Sequence, residues 1–295
     1  YVNQLFNPLI DVMQNYSVLQ TSMVAAERVF EIMDRTDYEP EQANQDLQIQ
    51  DGSIEFKHVS FSYDGKRDVL RDISFSVKKG QTIAFVGSTG SGKSSIINLF
   101  LRFYEFERGQ ILIDGRDIKD YSQAELRRKI GLVLQDPFLY HGTVASNIKL
   151  YQEQLTREEI IEAAKFVDAH GFISQLPQGY DAPVTERGAT FSSGQRQLLA
   201  FARTIATKPK ILILDEATAN IDSETEELIQ ASLRKMRRGR TTIAIAHRLS
   251  TIQDADCIYV LDKGCIIESG SHEELLAQDG TYKKMYQLQA GMMES

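Results

Sequence analysis

Residues 87–95 read Gly-Ser-Thr-Gly-Ser-Gly-Lys-Ser-Ser, directly after the apolar run Thr82–Val86 and directly before Ile96-Ile-Asn-Leu-Phe100. The pattern G-x-x-x-x-G-K-[ST] between a strand-like and a helix-like segment dictates a strand, a phosphate-cradling loop and a helix. Glycines let the backbone wrap a polyphosphate, so that several N–H groups and a helix N-terminus converge on one anion. An ordinary Gly/Ser-rich loop is the competing reading, and the strand–loop–helix setting counts against it. Gly87, Ser88, Thr89, Gly90, Ser91, Gly92, Lys93, Ser94 and Ser95 are therefore candidate nucleotide contacts. Lys93 would reach the β- and γ-phosphates, and the Ser94 hydroxyl would ligate Mg²⁺.

The remainder of the chain must supply a core for such a loop. With 295 residues, 42% apolar and 25% charged, it is an ordinary globular protein of one to two domains. A net charge of −8 argues against a general nucleic-acid or anionic-lipid surface but leaves room for a local anion site. No run of 18 apolar residues occurs, so no membrane-spanning helix is expected within it. The two cysteines, Cys257 and Cys265, fit a reducing compartment. A hairpin turning at Lys263-Gly264 would set Cys257 opposite Gly270, so no disulfide is expected. No signal peptide is expected, and a start at Tyr1 in mid-pattern leads us to expect a piece of a longer protein.

Residues 1–34 carry a moderately amphipathic helical pattern, with Val24, Val29, Ile32 and Met33 at helical spacing. Asp34 to Asp51 is polar, contains Pro40 and reads as a linker. Strands are expected from Ile54, with a phase slip near His58 that suggests a bulge or a break, and then over Leu70–Val77 and Thr82–Val86. Further strands are expected at Gln110–Ile113, Ile130–Leu134, Ile211–Leu214 and Thr241–Ala246. Helices are expected over 155–176, 194–207 and Glu224–Met236. Strands alternating with helices imply an α/β fold with a mostly parallel sheet. Residues 136–207 lack strand signals and read as a helical insertion.

Several residues fall where open α/β sheets bind ligands, at the carboxyl ends of buried strands. Asp215 can hold Mg²⁺ through a water, and Glu216 can orient and deprotonate an attacking water. An apolar run ending in Asp-Glu is weak alone and gains force from Gly87–Ser94. His247 ends the strand Thr242–Ala246 and could touch the γ-phosphate, although a lone histidine is more often structural. Gln135 ends another strand and could ligate the metal. Tyr63 could stack on a nucleobase, with core packing as a serious competitor. Phe191-Ser-Ser-Gly-Gln195 is either a plain helix cap or a second helix N-terminus aimed at an anion.

The ordered set Tyr63, Gly87–Ser95, Gln135, Phe191–Gln195, Ile211–Glu216, Ala219–Asp222 and His247 resembles the ATPase domain of ABC transporters over about residues 51–290. Gly142–Ile148 and Gly270–Leu275 look like the exporter branch, including multidrug exporters. The resemblance implies a P-loop, RecA-like core with an antiparallel β subdomain and a helical subdomain at about 136–207. Residues 1–50 would be the cytoplasmic end of the last transmembrane helix plus a linker, and 291–295 a tail. It implies ATP and Mg²⁺, with Ser94, Gln135 and Asp215 (via water) at the metal and Glu216 and His247 as catalytic residues. It also implies a head-to-tail dimer, in which Ser192, Ser193, Gly194 and Gln195 serve the partner's nucleotide and Asp222 lies at the seam. The remaining implied partner is the exporter's transmembrane domain, whose coupling helices would meet the Gln135 region and the helical insertion at the cytoplasmic face of the cell membrane. Nucleic acid is not an expected partner.

One departure stands out. The family signature usually reads Leu-Ser-Gly-Gly-Gln, whereas here it is Phe191-Ser-Ser-Gly-Gln195, and Thr185-Glu-Arg-Gly188 lacks the glycine usual before Glu-Arg-Gly. With Lys93, Asp215, Glu216 and His247 intact, the chain looks like one half of a heterodimeric bacterial multidrug exporter, with an identical partner as the alternative. The rival functions are a nucleotide-gated regulatory domain with little hydrolysis and a DNA-maintenance ABC ATPase. A GTPase would need an Asn-Lys-x-Asp motif, which does not occur.

Overall fold

The computed structural model describes residues 2–35, 47–150, 152–185, 188–216, 223–246, 249–289 and 291. His247, Ala219–Asp222, residues 186–187, most of the expected linker and of the tail lie outside them, and of Glu216 only the backbone is described. The chain divides into two compact units, residues 1–42 and 43–295. The first is a single helix, α1 (Val2–Met33), with Pro8 inside it. Among the described residues, no helix is long and apolar enough to cross a membrane.

The second unit runs β1 (Ile54–Phe61), β2 (Leu70–Val77), β3 (Thr82–Val86), α2 (Lys93–Phe100), β4 (Arg108–Ile113), β5 (Arg116–Asp117), α3 (Gln123–Lys129) and β6 (Ile130–Val133). It continues with β7 (Gly142–Thr143), α4 (Val144–Lys149), α5 (Arg157–Phe166), α6 (His170–Gln175), β8 (Pro183–Val184), α7 (Ser193–Ala206) and β9 (Ile211–Glu216). Last come α8 (Ser223–Arg237), β10 (Thr241–Ala246), β11 (Cys257–Asp262), β12 (Cys265–Gly270), α9 (His272–Ala277) and α10 (Thr281–Gln289).

A six-stranded sheet in the order β12-β11-β3-β10-β9-β6 forms the centre. Its strands from β11 to β6 are parallel, and only the β12 hairpin arm is antiparallel. Both faces are covered, which is why β3 and β10 are buried at every position. The two-residue period divides each strand between two cores. Ile83, Phe85, Ile213 and Ile245 pack towards α2 and a second sheet, in the order β2-β1-β4-β5. Ala84, Val86, Leu214 and Ala246 pack towards the helices of the 139–206 stretch and α8.

The slip expected at His58 is present. Pairing moves from Phe56↔Phe75 to Val59↔Ile73, and His58 takes a φ of 50°. Three expectations need correction. The 136–207 stretch is not free of strands, because β7 pairs with β8; two residues per strand are too few to show a hydrophobic period. The helix expected over 155–176 breaks into α5 and α6 at Asp168, whose φ is 61° and whose carboxylate is paired with Lys235. In the β11–β12 hairpin a bulge at Ile267 shifts the register, so Gly270 faces Ile258 rather than Cys257. Both cysteines are free all the same.

Candidate active site

The loop after β3 is shaped by close approach. Gly87 has room for no side chain, since a Cβ there would lie 2.3 Å from the Leu261 carbonyl oxygen. Gly92, the N-cap of α2, has a φ of 110°, and a Cβ would lie 2.7 Å from Leu70 Cδ2. Ser88, Thr89 and Gly90 form the exposed tip, while Ser91 is buried and its carbonyl accepts from Gly264 N–H at 3.0 Å. No side chain caps α2, so its first-turn amides face the loop without competition from one.

Lys93 is only 6% exposed. Its Nζ donates to the Gly87 carbonyl at 2.7 Å, the Ser88 carbonyl at 2.9 Å and Ser91 Oγ at 3.3 Å, which centres the ammonium within the loop. Burial pushes its pKa down, and the charge of Asp215 opposes that shift. Ser94, the next residue, is exposed at the start of α2.

Strand register brings the other candidates to the same edge. Phe85 of β3 lies beside Ile245 of β10, Asp215 and Glu216 of β9 beside Ile245 and Ala246, and Leu214 beside Val133 of β6. The parallel strands therefore end in a row, with the phosphate loop following β3, His247 following β10, Asp215-Glu216 closing β9 and Gln135 two residues beyond β6. Gln135 is exposed and Asp215 partly buried. A serine hydroxyl, an amide oxygen and a carboxylate are hard oxygen donors of the kind Mg²⁺ prefers. Among the described residues there is no cluster of three acidic, histidine or cysteine groups.

Tyr63 lies between β1 and the turn at Asp64. It is not core: 46% of it is exposed, and Phe61 and Tyr104 meet its ring edge-on at 4.7 Å and 4.8 Å. Its hydroxyl lies 3.0 Å from Ser95 Oγ and accepts from Asn98 Nδ2 at 3.2 Å. Sequence reasoning missed Asn98, for which the only signal is its place on α2 one turn after Ser95.

The segment 191–195 opens α7. Ser192 Oγ accepts from Gln195 N–H at 3.2 Å and Gln195 Oε1 accepts from Ser192 N–H at 3.1 Å, a reciprocal capping box. Phe191 is buried against Phe172, and Ser193 is half-buried. Gly194 is pressed on α8, where a Cβ would lie 2.1 Å from Thr225 Cγ2. Among the described residues, no hydrogen bond joins this segment to residues 87–95. An open groove of about 1110 Å³ borders the edge strand β6, lined in part by Leu101, Phe103, Arg127, Leu132, Leu150 and Arg203. Beside it, Arg203 donates to the Asn147 carbonyl at 2.7 Å and the Phe138 carbonyl at 2.9 Å, tying α7 to the segment after Gln135.

Known proteins resemble this chain along its whole length. The profile described as "ABC transporter" matches residues 70–219. "Putative ABC transporter ATP-binding protein exp8" of Streptococcus pneumoniae serotype 4 is 70% identical over 293 residues, which is 99% of this chain and 50% of that protein. "Probable multidrug resistance ABC transporter ATP-binding/permease protein YheH" of Bacillus subtilis is 50% identical over 295 residues, covering 100% of this chain and 44% of that protein. A solved structure titled "Structure of a bacterial Atm1-family ABC exporter with ATP bound" superposes with a TM-score of 0.83 at 42% identity, covering 100% of this chain and 51% of that one. The chain thus spans about half the length of the relatives it matches.

Proposed function

The chain belongs to the ABC transporter family, whose ATP-binding domains are ATPases coupled to transport, and on that premise we propose that it binds and hydrolyses MgATP to drive export. The observation that supports the reading is the row of parallel strand ends, in which the loop following β3 and the Asp215-Glu216 end of β9 stand on either side of β10. Loop amides and the Lys93 ammonium would hold the β- and γ-phosphates, and Ser94, Gln135 and, through a water, Asp215 would hold the metal. Bound Mg²⁺ supplies charge neutralisation on the phosphates. Glu216 takes the proton of the attacking water, a role worth about 10²–10⁴-fold. His247 tethers the γ-phosphate, and the base stacks on Tyr63.

Hydrolysis needs a second nucleotide-binding domain, whose own α7 N-terminus faces this chain's phosphate loop. Ser192, Ser193, Gly194 and Gln195 here serve that partner's nucleotide, with Asp222 at the seam. Ser193 places a side chain where the family carries glycine, which supports a heterodimer with one strong and one weak site. The transmembrane domain docks in the groove at Phe103, Leu132 and Arg203, on the cytoplasmic face of the membrane. Residues 1–50 lead from the last transmembrane helix into the ATPase domain at 51–290, with its helical subdomain at about 136–207.

The test is ATP hydrolysis by the purified chain against its concentration, with ATP binding measured separately and Glu216→Gln as control. Activity per molecule that rises with concentration and disappears in the variant means a working homodimer. Intact binding without hydrolysis at any concentration points to a missing partner with the glycine signature. A chain that binds no ATP refutes the reading.

A further inference from the structure

The aromatic platform at Tyr63 is fastened to the helix that carries the phosphate loop. Asn98 lies on α2 one turn beyond Ser95, on the same helical face. Its amide donates to the Tyr63 hydroxyl at 3.2 Å, and that hydroxyl lies 3.0 Å from Ser95 Oγ. The phenol oxygen thus accepts from Asn98 and shares a second hydrogen bond with Ser95 Oγ, in which either hydroxyl can donate. Tyr104 and Phe61 pack against the ring nearly at right angles, at 4.8 Å and 4.7 Å, and 46% of the residue stays exposed. Just beyond, Asp64 Oδ1 accepts from Lys66 N–H at 2.9 Å, Arg67 N–H at 3.1 Å and Ser62 Oγ at 3.0 Å, which locks the turn that follows the tyrosine.

We propose that Asn98 is a positioning residue for the nucleobase, holding the Tyr63 ring at a fixed distance from the phosphate loop so that base and triphosphate are read by one rigid unit. The proposal rests on the reading of this loop as the ATP site. Without the Asn98 bond the ring is anchored at one hydroxyl contact instead of two. Ordering it on binding then falls to the nucleotide, and the loss is confined to ligands that carry a base.

The experiment is calorimetric titration of the purified chain with MgATP and, separately, with magnesium tripolyphosphate, which has no base. Asn98→Leu should bind MgATP about three- to tenfold more weakly, the range of one net hydrogen bond, and tripolyphosphate as tightly as the parent. In a Tyr63→Phe background, where the phenol is gone, Asn98→Leu should have no further effect. Equal losses for both ligands would mean general damage to α2 and overturn the proposal. So would an additive loss in the Tyr63→Phe background, or unchanged MgATP binding by Asn98→Leu while Tyr63→Ala is defective. If Tyr63→Ala itself binds MgATP like the parent, the platform falls and the proposal with it. If the parent binds neither ligand, it is the ATP-site reading that fails.

Discussion

The contact between Gly194 and Thr225 lets a single methyl group test how tightly the start of α7 is pressed on α8. In Gly194→Ala the added Cβ would stand 2.1 Å from Thr225 Cγ2, 3.4 Å from Thr225 Cβ and 3.7 Å from Ile229 Cδ1. Only the first is a clash, and threonine is stiff at χ1, so relief requires the helices to part. Overpacking of this kind costs about 1–3 kcal/mol, against which Ala regains up to about 1 kcal/mol of helix propensity. The expected net loss is about 1–2 kcal/mol, or about 2–8 °C in a unit of this size. Thr225→Ser removes the offending methyl and keeps the hydroxyl, leaving only ordinary contacts at 3.4 Å and beyond. In that background Gly194→Ala should become neutral or stabilising by a few tenths of a kcal/mol. Urea unfolding of the four proteins of this cycle provides the numbers. A destabilisation that persists unchanged in the Thr225→Ser background would refute the steric argument, as would a Gly194→Ala protein as stable as its parent.

Other consequences can be measured on the same protein. The Asp114 carboxylate accepts backbone N–H groups from Gln50, Asp51, Gly52 and Ser53 at 2.8–3.1 Å, so Asp114→Ala should cost about 1–3 kcal/mol and speed proteolysis at residues 47–53. Arg203 is largely enclosed and has carbonyl partners on two segments, and Arg203→Lys, which lacks the planar fork, should lower the urea midpoint by about 2 kcal/mol equivalent. Burial pushes the fully enclosed Tyr282 phenol up to about 12 from 10.0. The folded pKa is raised, so this stability is whole below pH 10 and is lost towards pH 12, because the unfolded chain releases the proton first. The slope is up to about 1.4 kcal/mol per pH unit, and Tyr282→Phe should flatten the fall in urea midpoint between pH 10 and 12 by that share.

Local patterns in the chain are readable wherever one residue type answers to one physical demand. The apolar runs at Thr82–Val86 and Ile211–Leu214 are strands because both faces are covered, and the carboxylate after the second is held at the sheet edge by that fact alone. His58 betrays its bulge because the phase of apolar residues changes around it. The bulge at Ile267 leaves no such mark, since its neighbours on β12 are all partly exposed, and the hairpin register expected from the turn is off by one residue. The short helices α3 and α9 show too few turns for a period to emerge, yet Ser122 and Ser271 cap them, each with a Glu three residues on. Tyr63 is legible as a candidate and its surroundings are not. Its partners on α2 and at Tyr104 lie 32 or more residues away and meet it only through the fold.

The order of strands also governs when the phosphate loop can exist. β3, which carries the loop, is flanked by β10 and β11. Gly80 leans on Thr241, 161 residues later, and Thr82 N–H bonds to Asp256, 174 residues later. Strand pairing among β1, β2 and β4 uses residues 54–113 alone, with one later tie from Arg71 N–H to the Gly264 carbonyl at 2.8 Å. A ribosome that has delivered everything up to residue 240 has therefore made every letter of the G-x-x-x-x-G-K-S motif but neither of the two strands, β10 and β11, that frame β3. Contacts of this span are slow to close, so the loop is among the last parts of the protein to mature. Nucleotide, for which that frame is the receptor, has nothing to capture on a nascent chain.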